Sequence, residues 1–218
     1  MLRHIGSAPL TYSWLTVLAF TTLRQQSLPR ASLQRLLLRH STNLHHLLSD
    51  PIHVLLASLL WIDGRWWPYL LAYLLAFTVF VAPAERWLGW WRWIIVGLVA
   101  HIVATYVSEG VLYLFIAHAD PSRRVMNARD IGVSYFLVGI IGVLAYRIAR
   151  PWRWVYLAVT LLVLVVSLAV KPGFTPVGHL CALVVGLAMY PITRSRDRTL
   201  WSPVPAFRRL THSGPPAA

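Results

Sequence analysis

Arg129-Asp130-Ile131-Gly132-Val133-Ser134-Tyr135 opens an apolar run that continues to Tyr146. The stretch places a carboxylate and a hydroxyl at the mouth of a segment otherwise suited to a bilayer. Asp130 and Ser134 stand four apart, so they share a face once a helix has started. Polar side chains in a spanning segment are costly and mark functional positions by default. The competing reading is local: a serine bonding back to its own helix, beside an Asp near the cap. A second polar stretch downstream, Gly178-His179-Leu180-Cys181-Ala182, shifts the balance toward function.

Composition sets the class. Of 218 residues, 57% are hydrophobic and only 12% charged, with a mean hydropathy of +0.60. Soluble domains carry roughly 25% charged residues. Several runs approach the ~20 apolar residues that a bilayer helix needs. One all-α polytopic membrane domain accounts for the length. The net charge is +13, and Lys171 is the one lysine among 20 basic residues. In such a chain the arginines set topology and touch anionic lipid; they do not imply nucleic acid. The 11 tryptophans fit helix ends at headgroup level. Cys181 is the lone cysteine, which excludes an internal disulfide and a cysteine metal cluster. Scarce lysine points to a GC-rich genome, hence a bacterium.

Taken in order, residues 1–8 form a short basic leader. Ala8 to Leu23 is an apolar run with no small-x-small cleavage site after it, so it is expected to be retained as a first helix. From Ser32 to Leu48, leucines recur at helical spacing with Arg35, Arg39 and His40 between them. That pattern predicts a helix lying in the interface plane. His45, His46 and His53 lack cysteine or carboxylate partners at ligand spacing, and no metal or cofactor is expected. Pro51 to Ile62 is too short to span upright. Trp66 to Val81 is the second span, ending at Pro83. Ile94 to Ala117 is the third, with His101, Thr105, Ser108 and Glu109 on one stripe. The loop from His118 to Arg129 leads to a fourth span, Asp130 to Arg147. Trp154 to Val170 is aliphatic and predicts a lipid-facing fifth span. The sixth runs from Thr175 to Ile192. Residues 9–193 are thus the membrane domain, and 194–218 form a basic tail expected to be disordered.

Six spans place both termini on one side. That side holds Arg3, Arg86, Arg92, Arg147, Arg150, Arg153, Arg194, Arg196, Arg198, Arg208 and Arg209. Leaving out the long first loop, the other has Arg123, Arg124, Arg129 and Lys171. The asymmetry puts both termini in the cytoplasm, which in a bacterium makes the chain an inner-membrane protein. Ser134 and His179 then lie at matching depth near the outer ends of spans four and six. Ser134, Val138, Gly142 and Ala145 share one face; His179, Ala182, Gly186 and Tyr190 share another. Gly178, Ala182 and Gly186 form a small-residue ridge of the kind that lets membrane helices approach. A serine nucleophile needs a base within hydrogen-bond reach, and this pairing would supply His179.

At this point the sequence resembles the rhomboid family of intramembrane serine proteases. Gly132-Val133-Ser134 is similar to the family's Gly-x-Ser at the start of the fourth helix. Gly178-His179, Ala182 and Gly186 are similar to its Gly/Ala-His-x-x-Gly/Ala-x-x-x-Gly in the sixth. Ala57 to Gly64 followed by Trp67 resembles the family's Thr-Ser-x-Phe-x-His-x-x-x-Trp region in the first loop. Glu85-Arg86-Trp87-Leu88-Gly89 resembles its Glu-x-x-x-Gly turn. The resemblance spans most of residues 10 to 192. It implies a six-helix bundle with a long first loop, partly inserted at the outer interface. It also implies Ser134 as nucleophile, His179 as base, and membrane-spanning segments as substrates.

Two departures stand out. The glycine that usually follows the nucleophile is Tyr135. The second-helix histidine and asparagine of the family's oxyanion hole fall at Tyr69 and Tyr73. Phenols can donate hydrogen bonds, with different reach and angle. The Ser134 backbone N–H and His101 are further candidate donors, and Asp130 or Glu109 could tune the site. Without its oxyanion pair the bundle could instead bind client membrane helices and not cut them. A transporter relaying protons through His101 and Glu109 is the third reading, but no internal repeat supports it.

Overall fold

The computed structural model describes residues 6–63, 67–119, 130–196 and 200–202. The leader to Ile5, the loop from Asp120 to Arg129, and most of the tail lie outside the described residues. Arg123, Arg124, Asn127, Arg129, Arg198, Arg208 and Arg209 are among these.

The chain is all-α. Helix α1 is Pro9–Gln26. The first loop carries α2 (Arg30–Arg39), α3 (Leu44–Ser49) and α4 (Pro51–Ala57), the last ending in a 3₁₀ turn, Ser58–Leu60. The second span joins α5 (Trp67–Ala76), a π turn (Phe77–Val81) and α6 (Ala82–Leu88). Then come α7 (Trp90–Ala119), α8 (Val133–Leu144), α9 (Trp152–Val170), α10 (Phe174–Ala188) and the short α11 (Tyr190–Thr193). Pro68–Leu88, Trp90–His118 and Trp152–Val170 are long and apolar enough to cross a membrane. The helices of spans four and six are apolar but shorter. Neighbours enclose most of α8, so it meets little lipid.

Several boundaries differ from the sequence reading. The interface helix is not continuous. It breaks after Arg39, because Ser41 and Thr42 turn inward to bond Asp130 and Asn43 restarts the chain by capping the His46 N–H at 3.0 Å. The second span does not stop at Pro83. Proline has no N–H to continue an α ladder, and the preceding turn widens instead, with the Ala82 N–H reaching Phe77 O. The helix therefore runs on to Leu88 and ends at Gly89, whose φ of +79° is a backbone conformation open to glycine. The third span begins at Trp90, not Ile94, directly after that glycine.

Glu85 joins the first two spans. Its buried carboxylate accepts from the Leu10 N–H at 3.0 Å, the Thr11 N–H at 2.8 Å and the Thr11 hydroxyl at 2.6 Å. Those N–H groups lie in the first turn of α1, where no helical acceptor exists. Hydrogen bonds to a charged group are worth roughly 1.5–3 kcal/mol each. Trp14 then packs edge-on to Phe77, Trp93 and Phe136 at centroid distances of 4.9, 6.1 and 4.7 Å. One aromatic cluster thereby binds spans one to four.

The first loop enters the bundle. Trp14 Nε1 donates to Leu59 O at 2.8 Å, and Gln25 Nε2 to Ile62 O at 3.2 Å. Leu59 and Ile62 are buried. Helix α9 is the opposite case: of its residues only Leu164 is buried, and it lies on the outside of the bundle. The start of the tail is also placed. Trp201 N donates to Arg147 O at 2.8 Å, and Ala149 N to Trp201 O at 2.9 Å. Arg196 Nε donates to Trp87 O at 2.6 Å. Residues 194–196 and 200–202 thus lie against the arginine-rich end of the bundle.

Candidate active site

Ser134 lies in the first turn of α8 and His179 in the second turn of α10. His179 Nε2 and Ser134 Oγ are 2.9 Å apart, inside hydrogen-bond distance, and both residues are half-buried. The Ser134 N–H sits where helical N–H groups lack acceptors. The Tyr135 and Phe136 N–H groups both reach back to Gly132 O, at 3.1 and 3.3 Å.

Small residues bring the two helices together. A methyl at Gly186 would run into the Gly139 carbonyl. One at Gly142 would lie 2.7 Å from Leu183 O and 3.1 Å from Gly186 Cα. Ala182, between them, is fully buried. Helix α7 completes the contact: a methyl at Gly139 would strike Ala100, and one at Gly132 would strike the His101 ring. Backbone-level approach of this kind is what small-residue ridges permit.

A family profile described as rhomboid-like protein matches residues 3–199. The chain belongs to the rhomboid-like family. It has no match among curated proteins or solved structures. Family and apolar helices together make it an integral membrane protein.

In this rhomboid-like chain Asp130 does not share a face with Ser134. Helix α8 starts at Val133, so Asp130 precedes it and points elsewhere. Its Oδ1 accepts from the Tyr135 hydroxyl at 2.9 Å and its Oδ2 from Ser108 Oγ at 3.3 Å. The Asp130 main chain holds the first loop: its N–H donates to Ser41 Oγ at 2.7 Å, and its carbonyl accepts from Thr42 N at 3.1 Å. Asp130 is therefore a clasp between loop, third span and fourth span.

Tyr135, the residue that departs from the family pattern, is completely buried. Its ring packs edge-on to His179 with centroids 5.2 Å apart, and stacks on His101 at 6.4 Å. Gly178 leaves room for that ring. The supporting role of Tyr135 and Ser108 was not read from sequence. The signal was present: a bulky residue beside the nucleophile, and a glycine beside the histidine.

The two second-span tyrosines separate. Tyr73 is half-buried, with its hydroxyl on the side of the Ser134 hydroxyl. Tyr69 is 50% exposed. His101 is fully buried, and its Nε2 lies 2.9 Å from Leu55 O and 3.4 Å from Ser58 Oγ. It pins the first loop to span three. Glu109 is buried near the Leu44 N–H, and neither of its carboxylate oxygens makes a well-formed bond among the described residues. His101, Thr105, Ser108 and Glu109 all face the protein interior, as their stripe required.

Proposed function

We propose that this protein is an intramembrane serine protease that cleaves membrane-spanning segments through a Ser134–His179 dyad. The observation that carries the proposal is the 2.9 Å separation of Ser134 Oγ and His179 Nε2 on two helices locked by small residues. In this reading His179 Nε2 accepts the hydroxyl proton while Ser134 Oγ attacks a peptide carbonyl. The tetrahedral oxyanion needs donors. The Ser134 N–H, at the positive end of α8, and the Tyr73 hydroxyl are the donors this reading assigns. His179 then returns the proton to the leaving amine, and water releases the acyl group.

One membrane domain over residues 9–193 would carry the activity, with the dyad toward the face opposite the arginine-rich end. We place that end in the cytoplasm of a bacterium, with both termini there and the chain in the inner membrane, on the arginine asymmetry. Substrates would be single membrane helices that unwind near the outer face. No metal or cofactor enters the reaction as proposed.

A second reading has its own support. Tyrosines stand where the family's oxyanion residues are expected, and this favours a bundle that binds client helices without cutting them. Cleavage of a model membrane substrate in liposomes separates the two. The protease reading predicts slow cleavage, abolished by Ser134→Ala and by His179→Ala, since nucleophile and base act as a unit. Equal rates in wild type and Ser134→Ala would assign any cleavage to a contaminant.

A further inference from the structure

The first loop grips the surroundings of the dyad at two separate places, and both lead to Tyr135. The first is Asp130. The Ser41 hydroxyl bridges the main chain of that residue, accepting from its N–H at 2.7 Å and donating to its carbonyl at 3.1 Å. Thr42 gives the same carbonyl two more donors, its N–H at 3.1 Å and its hydroxyl at 3.2 Å. Four hydrogen bonds thus fix the backbone just ahead of α8. Ser41, Thr42 and Asp130 are all buried. Bonds broken in such a place leave unpaired groups away from water, which is costly. The carboxylate of Asp130 is used separately, with Oδ1 accepting from the Tyr135 hydroxyl at 2.9 Å.

The second place is His101. Its Nε2 donates to Leu55 O at 2.9 Å, with Ser58 Oγ 3.4 Å away. Its ring stacks on Tyr135 with the two planes 26° apart. Tyr135 is therefore held by its hydroxyl through Asp130 and by its ring through His101, and each hold begins in the first loop. Tyr135 in turn bears on α10. His179 meets its ring edge-on at 5.2 Å, and Gly178 leaves it room. A histidine side chain turns about two torsions. Its ring keeps one angle only while close-packed neighbours hold it there. A catalytic group misplaced by about 1 Å can lose about a hundredfold in rate.

We propose that Ser41 and Thr42 are positioning residues for His179: the first loop sets Tyr135 through Asp130, and Tyr135 sets the His179 ring against Ser134. The consequence for rate rests on the protease reading; the hold on the His179 ring does not. A loop that only stabilised the bundle would change the amount of folded protein and leave each folded molecule fully active. A loop that positions His179 changes the behaviour of the folded molecule itself.

The test uses the full chain in liposomes and reads two quantities on folded protein. One is carbethoxylation of His179 by diethyl pyrocarbonate, located by peptide mass spectrometry, which reports the hold on the ring whether or not the chain cuts anything. The other is kcat for a model membrane substrate. Ser41→Ala with Thr42→Val removes the three side-chain hydrogen bonds to Asp130. It should raise His179 labelling about tenfold, the shift that ~1.4 kcal/mol gives, and lower kcat by up to about a hundredfold with KM near the wild-type value. Thr42→Ser keeps the hydroxyl and should match wild type. Gln25→Leu cuts a different anchor of the same loop, the bond to Ile62 O at 3.2 Å, and should also match wild type per folded molecule. Thr42→Val alone keeps the test decisive if the double variant does not fold, and should raise labelling about threefold. Unchanged His179 labelling in the double variant, or in Thr42→Val where only that variant folds, would overturn the proposal. So would an equal rise in Gln25→Leu. A wild type that cleaves nothing while the labelling contrast persists would sink the protease reading and leave the hold on His179 standing.

Discussion

Gly178 and Tyr135 interlock: a methyl on Gly178 would lie 2.7 Å from the ring and hydroxyl of Tyr135. Each is the chain neighbour of a dyad member, Gly178 preceding His179 and Tyr135 following Ser134. The fit between them therefore bears directly on the separation of nucleophile and base. Overpacking a filled site costs roughly 1–3 kcal/mol. Gly178→Ala is expected to lower stability by that amount and to slow substrate cleavage. Chemical or thermal unfolding, measured beside cleavage, checks both. A variant as stable and as active as wild type would show that the two residues can part without consequence.

Tyr135→Phe isolates the hydroxyl from the ring. The ring still packs against His179, but Asp130 Oδ1 loses the donor now 2.9 Å away. A buried group left without its partner costs roughly 1–3 kcal/mol. The expected result is a destabilised protein with substantial cleavage remaining. Tyr135→Ala removes the ring as well and should lose far more activity than Tyr135→Phe. Equal activity in the two variants would mean that the aromatic contact does not position His179.

Tyr73 and Tyr69 should differ although they sit one turn apart. Tyr73 approaches the Ser134 hydroxyl, whereas Tyr69 is half exposed. Loss of an oxyanion donor lowers turnover by about 10²–10³. Tyr73→Phe should fall toward that range with little change in unfolding midpoint, and Tyr69→Phe should cleave at close to the wild-type rate. Wild-type turnover in Tyr73→Phe would remove this phenol from the mechanism.

These contrasts mark how far the sequence could be read. The membrane class, the helical bundle and the entry of the first loop follow from apolar runs and motif order, which are one-dimensional signals. The contact of spans four and six was legible because small residues line one face of each, Gly142 and Ala145 on span four and Gly178, Ala182 and Gly186, four apart, on span six. Asp130 misled, since helical spacing applies only inside a helix and α8 begins three residues later. Tyr135 was legible only as a departure. Its meaning depends on Gly178, 43 positions away, and on Ser108 in another span, and no local pattern links them. Pro83 misled in the opposite sense. A proline ends an α ladder, but a π turn absorbed it and the span continued.

The central claim is that Ser134 is a nucleophile activated by His179. The most direct measurement is labelling by a serine-directed fluorophosphonate, with the adduct located by peptide mass spectrometry. The account predicts one adduct, on Ser134, formed slowly near neutral pH and lost in His179→Ala while the variant remains folded. Folded wild-type protein that takes no label at Ser134, or labels equally with and without His179, would contradict it.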